Sequence, residues 1–477
     1  MSERKFAREN HASAYSFHLV GCYMFSQINS AISSFIWGPP MLAVFLGTGL
    51  YLSARTGFFQ LFGVKRWITS TLFAVADKSN RKKAEKGSVS QLGALTSALA
   101  ACLGTGNIIG VATALCSGGP GAVFWMWVSA VLGMMTCCCE NILGIKYRIR
   151  KENGDFAGGP MYYIEHGLGM KGLAGAYAVF LTGASLGMGN MTQSNSVAAG
   201  LEGMGIPPIA AAFAVCIPLA FAISGGLERI SSLTQRLIPV LSLAFIVACF
   251  IVIAVNIENL LPSIKLIFKE AFTLKAVGGF GMAKAIRYGV SRGVFSNEAG
   301  LGSSAVIHSC ADCENAAKQG MWGIVEVFID TVFMCTVTAA AILVSGKWSP
   351  DGRLNGVALC SAVFESVMGQ AGGVFLNVCI CLFAFSTLVA WSFYGKSGTE
   401  YLFGTRGGKI YNVIYIAAAF AGCLTKLDAV WTFSDTLNGL MAVPNLFALW
   451  LMSKEATDIL NKERKNGGKS AVSYQDF

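Results

Sequence analysis

Apolar residues run through this chain in blocks of about 20, separated by short polar stretches. That is the length a helix needs to cross a bilayer core of about 30 Å. Eleven such blocks can be marked, at roughly 34–54, 90–115, 121–146, 173–201, 206–224, 237–257, 283–308, 319–345, 371–395, 409–425 and 431–453. A shorter apolar segment, 355–369, cannot span and reads as a surface or re-entrant helix. The alternation over ~10-residue segments that marks a membrane β-barrel is missing. The pattern predicts an all-α polytopic membrane protein with 11 transmembrane helices.

Two blocks are interrupted. The second holds Gly104-Thr105-Gly106-Asn107, and the seventh holds "SRGVFSNEAGLGSS" at 291–304. Leaving out the first helix, ten remain. Gly104 then aligns with Gly300, 196 residues on, and the next helices start at 121 and 319. Five helices cross an odd number of times, so the second five enter from the other side. This is a 5+5 inverted repeat led in each half by a glycine-broken helix, the pattern that marks a transporter's binding site near the midplane. It divides the chain into 1–89 (an N-terminal segment outside, the first helix and a basic loop), a first repeat at 90–257, a second at 258–453 and a tail at 454–477.

Composition supports the membrane reading. The chain has 477 residues, 54% hydrophobic and 13% charged, where a soluble domain carries about 25% charged residues. The net charge of +10 raises the possibility of nucleic acid, but its placement points to topology. One set of alternate connections carries 24 Lys and Arg, the other 10. The richer set is expected in the cytoplasm, with the N-terminus outside and the C-terminus inside. The basic stretch 77–86 then fixes topology, with lipid head-group binding as the lesser reading. The 15 Cys sit mostly in apolar runs as small packing residues. Cys310 and Cys313 form a lone C-x-x-C with no second pair for a metal. The polar N-terminus is a poor cleavable signal peptide.

A helix break leaves bare N–H groups on one side and bare C=O groups on the other, each costly in hydrocarbon. The N–H groups suit a carboxylate and the C=O groups suit Na⁺ or an ammonium. A zwitterionic amino acid with a cation matches both. Glycine permits the irregular dihedrals and close approach, and Asn107 offers a carbonyl to a cation or an NH₂ to a carboxylate. Gly47-Thr48-Gly49 repeats the glycine spacing without an Asn and reads as helix packing. A dinucleotide loop is excluded, since no strand precedes 104 and no acidic residue follows at the required distance.

Four stretches carry a resemblance: "GTGNIIGVATAL" (104–115), "GGPMYYIEHGLG" (158–169), "MGNMTQSNSVA" (188–198) and "RGVFSNEAGLGSSAVIHS" (292–309). They resemble the alanine or glycine:cation symporter family, within the amino acid–polyamine–organocation group, over nearly the whole chain. The resemblance implies a leucine-transporter-type fold with one extra N-terminal helix. It also implies inward carriage of a small neutral amino acid, alanine or glycine first, with Na⁺ (or H⁺) as coupling ion and no cofactor. Carried over residue by residue, the amides of Thr105 and Gly106 hold the substrate carboxylate and the Cys102 carbonyl faces the amine. Asn107, Gln193, Phe295, Ser296 and Gly300 line the site, and Trp391 caps it. Na⁺ meets the hydroxyls of Ser386 and Thr387 and the carbonyls of Ala100, Leu103 and Phe383. A weaker second cation position comprises Asn107, Ser296 and Asp330. The bland readings are an interhelical bond for Gln193, core packing for Trp391 and, for the two hydroxyls, bonds back to their own helix.

Charges inside spans are expensive. Glu326 and Asp330 lie one turn apart. Glu298 sits in the second break, with Arg287 and Arg292 upstream as possible partners. Glu298 and Asp330 read as a polar gate or ion route, with a structural ion pair as the alternative. Glu140 reads as lying near a cytoplasmic helix end, and His308 as a cation at a helix C-terminus. The four His form no metal spacing and no triad. The expected protein is therefore not an enzyme but a multi-pass transporter of a bacterial or archaeal plasma membrane. It works as a monomer on an amino acid and Na⁺ within the lipid bilayer, with no nucleic-acid partner. The rivals are a channel or sensor on the same scaffold, or an intramembrane enzyme using Glu326 and Asp330.

Overall fold

A computed structural model describes residues 27, 29–74, 87–273, 281–425 and 428–465, the side chains of 428–433 excepted. The first 26 residues, the basic stretch 77–86 and the tail from 466 lie outside the described residues.

Pro39–Arg55 (α1) starts on a proline, whose missing N–H is no loss in a first turn. Gln91–Cys102 (α2) is capped by Ser90, whose hydroxyl accepts from the Gly93 amide at 3.0 Å. Then come Ile109–Gly118 (α3), Gly121–Lys146 (α4), Lys171–Glu202 (α5), Pro208–Ser224 (α6), Gly226–Val255 (α7) and Leu260–Ala271 (α8). Met282–Asn297 (α9), Ser303–His308 (α10), Ala316–Val344 (α11), Gly356–Met368 (α12), Gln370–Leu424 (α13), Asp428–Leu451 (α14) and Ser453–Lys465 (α15) complete the chain.

Among the described residues, six helices are long and apolar enough to cross a membrane, or seven if the end of α14 and α15 form one span bent by 64°. Both interrupted blocks are helix pairs, α2/α3 and α9/α10, and 206–224 is the 17-residue α6. The expected loop at 396–408 is not a loop. Helix α13 runs on, kinked only at Gly404 (φ 69°, ψ −173°). Polar residues carry it beyond the apolar block by pairing: Glu400 meets Lys151 at 2.5 Å and Lys396, one turn earlier, at 3.7 Å. Likewise α7 begins at Gly226, inside a stretch expected to connect, because Ile230 and Thr234 give its first turns a buried face.

Helix α4 packs along α9 and α11, and α5 and α6 pack along α13. Glycines set the first of these distances. A Cβ on Gly289 would lie 2.3 Å from the Ala122 carbonyl oxygen, and one on Gly320 would lie 2.9 Å from the Cys138 carbonyl oxygen. Such close backbone approach is how helices associate in lipid. Gly289→Ala is therefore expected to destabilise the protein by about 1–3 kcal/mol. A lowered thermal midpoint of the detergent-solubilised protein checks this, and an unchanged midpoint would contradict it.

Candidate functional site

The first break begins when Leu103 leaves helical geometry (φ −74°, ψ 76°) and Gly104 turns to φ −121°, ψ −145°. Thr105–Asn107 then make one 3₁₀ turn before α3. The Thr105 and Gly106 amides fall in a first turn, where a helix supplies no carbonyl. The Cys102 carbonyl accepts the Gly104 amide at 2.8 Å. Gly106 faces the second broken helix, its missing Cβ falling 3.7 Å from Ser296 Cα and 3.8 Å from the Phe295 ring.

The second break is tied down by neighbours. Glu298 takes a left-handed conformation (φ 56°) that a non-glycine residue adopts only when its surroundings hold it there. Its carboxylate accepts the Ser303 hydroxyl. The Gly300 amide donates to Glu140 at 3.0 Å, its carbonyl accepts Asn445 at 2.9 Å, and the Leu301 carbonyl accepts the Tyr177 hydroxyl at 2.9 Å. Gly300 is on the scaffold side of the break, with a Cβ there meeting Phe45 at 2.8 Å and Leu446 at 3.2 Å. Glu140 is thus no idle group near a helix end. It is fully buried, bonds Asn445 at 2.5 Å as well as Gly300, and splints the break from α4.

Between the breaks, three predicted residues converge. Asn107 Nδ2 donates to Asp330 Oδ1 at 2.7 Å and to the Asp330 carbonyl at 3.1 Å, and Ser296 Oγ donates to Oδ2 at 2.9 Å. Thr331 completes the ring at 2.6 Å, and Asn297 bonds Thr331 at 3.0 Å. Asp330 stands in a π-helical stretch of α11, Phe328–Cys335, the kind of bulge that accompanies functional sites. Asn107 Oδ1 is buried without a partner.

On the other side of the first break, Thr387 of α13 donates across to the Ala100 carbonyl at 2.9 Å, and a Cβ on Gly104 would lie 2.6 Å from its hydroxyl oxygen. Ser386 donates to Phe383 of its own helix at 2.8 Å. Trp391, one turn on from Thr387, is fully buried against Gly189, and its carbonyl accepts Ser185 at 2.6 Å. Gly189 belongs to a π turn of α5, Gly187–Met191. Gln193, just beyond, donates to the Met188 carbonyl at 3.2 Å. Both Gln193 Oε1 and Trp391 Nε1 are buried with no bond made.

Two further sequence-based assignments change. His308 does end α10, but it is fully buried and bonds Glu326 at 3.2 Å, so it is a side-chain partner more than a helix-end cation. Arg292 does not reach Glu298. It lies over Phe295 at 5.5 Å, and with Arg287 and Asp435 it lines a cavity of about 140 Å³. Asp435 escaped notice because it sits near the end of an apolar block, where charge is unremarkable. Asn445 and Tyr163, which donates to it, also escaped. An uncompensated Glu140 within a span was the signal that a partner must exist. Cys310 and Cys313, the lone C-x-x-C, donate to the Phe156 and Asn315 carbonyls.

Known proteins resemble this chain over most of its length. The chain is 40% identical to the sodium/alanine symporter AgcS of Methanococcus maripaludis over 458 residues, 94% of this chain and 100% of that one. It is 34% identical to the probable sodium/glutamine symporter GlnT of Bacillus subtilis, covering 92% of this chain and 91% of that one. The crystal structure of MhsT in complex with L-phenylalanine superposes with a TM-score of 0.56 over 79% of this chain and 99% of that one, at 14% identity. This shows the leucine-transporter-type fold. The model of the sodium:alanine symporter family matches residues 22–474. The chain therefore belongs to the sodium:alanine symporter family, whose members are membrane transporters and not enzymes.

Proposed function

We propose that this Na⁺-coupled amino-acid symporter imports a small neutral amino acid, alanine or glycine first, by alternating access. Eleven spans, the first repeat at 90–257 and the second at 258–453, carry it as a monomer, with the N-terminus outside and the C-terminus in the cytoplasm. The single observation that carries the reading is the Thr387 hydroxyl donating to the Ala100 carbonyl at 2.9 Å, beside Gly104. A hydroxyl of α13 thus meets the carbonyl end of the broken helix α2, where a cation would join the two.

In this reading Na⁺ binds among the carbonyls of Ala100, Leu103 and Phe383 and the hydroxyls of Ser386 and Thr387. A second cation position lies at Asn107, Ser296 and Asp330. The substrate carboxylate meets the Thr105 and Gly106 amides, and its ammonium the Cys102 carbonyl. Gln193, Phe295 and Trp391 bound the side-chain pocket, and Gly300 supports the second break from behind. Na⁺ stabilises the outward-open state by ordering the breaks, and substrate then permits the bundles to rock.

Inward charge movement yields ~2.3 kcal/mol per 100 mV, and a tenfold Na⁺ gradient ~1.4 kcal/mol. One Na⁺ then supports a substrate gradient of at most several hundredfold, on the order of 3.7 kcal/mol. Uptake of labelled alanine into proteoliposomes should exceed equilibrium only with an inward Na⁺ gradient. Uptake that merely equilibrates would mean a channel. Trp391→Phe should enlarge the pocket, so that glutamine competes about tenfold better against labelled alanine, a ~1.4 kcal/mol change. An unaltered competition panel would place Trp391 outside the pocket.

A further inference from the structure

A second buried polar cluster lies just beneath the first break. Glu326 of α11 accepts Ser304 Oγ at 2.6 Å and faces His308 Nε2 at 3.2 Å through one oxygen, and accepts the Cys102 thiol at 3.5 Å through the other. On the far side of the ring, Gln319 Nε2 sits 2.6 Å from His308 Nδ1. Glu326 and His308 are both 0% exposed. The remaining titratable groups facing the pair are Cys102 from α2, Cys137 and Glu140 from α4, Glu298 in the second break, Asp330 one turn along α11 and Tyr394 from α13. These are carboxyls, thiols and a phenol, so His308 is the basic member of the set.

The Gln319 amide admits both protonation states of the ring. With Nε2 donating to Nδ1, the imidazole is neutral and its one N–H points from Nε2 to Glu326. Gln319 Oε1 is meanwhile buried with no partner. A half-turn of the amide brings Oε1 onto Nδ1, where it accepts the N–H that a proton from water creates. The ring is then an imidazolium satisfied at both nitrogens, and its charge is balanced by Glu326.

We propose that His308 and Glu326 form a proton-binding site whose proton is displaced when a cation enters the first break. The link is short, since the Cys102 side chain touches Glu326. It rests on the proposal that the first break receives Na⁺ at the Ala100 and Leu103 carbonyls and the substrate ammonium at the Cys102 carbonyl. A cation there takes over the balancing of Glu326, so its charge and that of His308⁺ oppose each other through a weakly screening interior. The effect is reciprocal: Na⁺ and alanine release the proton, and protons weaken Na⁺ binding.

Purified transporter in a weakly buffered solution with a pH dye provides the test. Adding Na⁺ with alanine in steps of pH from about 5 to about 8 should release up to about one proton per molecule where release is greatest. In proteoliposomes, half-saturating Na⁺ should rise about tenfold from about pH 8 to about pH 5.5, the size of a modest charge–charge coupling. His308→Gln keeps a donor toward Glu326. It should release no proton, and the uptake that remains should need the same Na⁺ at every pH. Gln319→Leu removes the group that reads Nδ1 and should move the pH midpoint of wild-type uptake by about one unit. The proposal is overturned if the wild type releases no proton or if His308→Gln releases as many. Should His308→Gln fail to fold, an unmoved midpoint in Gln319→Leu overturns it. Alanine uptake that is independent of Na⁺ at every pH would instead overturn the symport reading beneath it.

Discussion

Asp330→Ala is expected to raise the Na⁺ concentration for half-maximal uptake about 100-fold, or to abolish uptake, a loss of ~2.7 kcal/mol. The carboxylate collects Asn107 from the first broken helix, Ser296 from the second and Thr331 from its own. Cys335 Sγ also meets both breaks, Asn107 at 3.5 Å and Ser296 at 3.6 Å, but a thiol sulfur is a weak acceptor beside a carboxylate. Bonds to a charged acceptor are each worth ~1.5–3 kcal/mol, and removing the acceptor leaves buried donors without a partner. Asp330→Asn separates charge from shape. It keeps the volume, and Asn107, whose Oδ1 is unpartnered, can turn its amide to accept from the new NH₂. A variant that folds with wild-type stability yet loses Na⁺ affinity assigns the effect to charge. If Asp330→Ala takes up alanine with wild-type Na⁺ dependence, the second cation position is wrong.

Gly104→Ala is expected to cut Na⁺-driven uptake more than tenfold, over ~1.4 kcal/mol, and mainly through Na⁺ affinity. The new methyl would lie 2.6 Å from Thr387 Oγ1 and 3.5 Å from its Cβ. It must push the hydroxyl off the Ala100 carbonyl, or push the break off α13. Neither shift needs to unfold the bundle, so binding should suffer more than stability. The look-alike motif at 47–49 supplies the control. A Cβ on Gly47 meets nothing within 4 Å, so Gly47→Ala should transport normally, whereas Gly49 abuts Leu132 at 2.8 Å and is a packing glycine. Sodium titrations of uptake in the two alanine variants, side by side, check this. Equal behaviour would mean that the space beside Thr387 has no role in cation binding.

Much of this arrangement is legible in the amino-acid sequence. Both breaks announce themselves as glycine pairs within apolar blocks, because polar backbone has to be rescued wherever a helix stops inside a membrane. Asn107, Ser296 and Asp330 stand together in the sequence reading, and their side chains meet in the fold. What hydropathy cannot show is where polar residues keep a helix going. α13 passes through 396–403 because Glu400 finds Lys151, 249 residues away in sequence. Nor can it show which partner answers a buried carboxylate. Glu140 is met by Asn445, 305 residues on, and by the Gly300 amide of the second break. Gly300 shows the reverse limit: its motif position implies a lining role, but its open side faces Phe45 and Leu446. A helix-end histidine such as His308 has an ordinary explanation as a cation at a helix C-terminus. Only the pairing with Glu326 separates it from that explanation.

In the proposed function, a cation at the Ala100–Thr387 junction couples the Na⁺ gradient to amino-acid movement. Its most direct test is the Na⁺ dependence of alanine accumulation in proteoliposomes carrying the wild type or the Ser386→Ala, Thr387→Ala double variant, each shown to be folded by its thermal midpoint. The wild type should concentrate alanine above equilibrium. The double variant should need at least about tenfold more Na⁺, the effect of losing two oxygen ligands at ~1 kcal/mol each, and should accumulate little at ordinary gradients. Accumulation by the double variant with the wild-type Na⁺ dependence would contradict the claim.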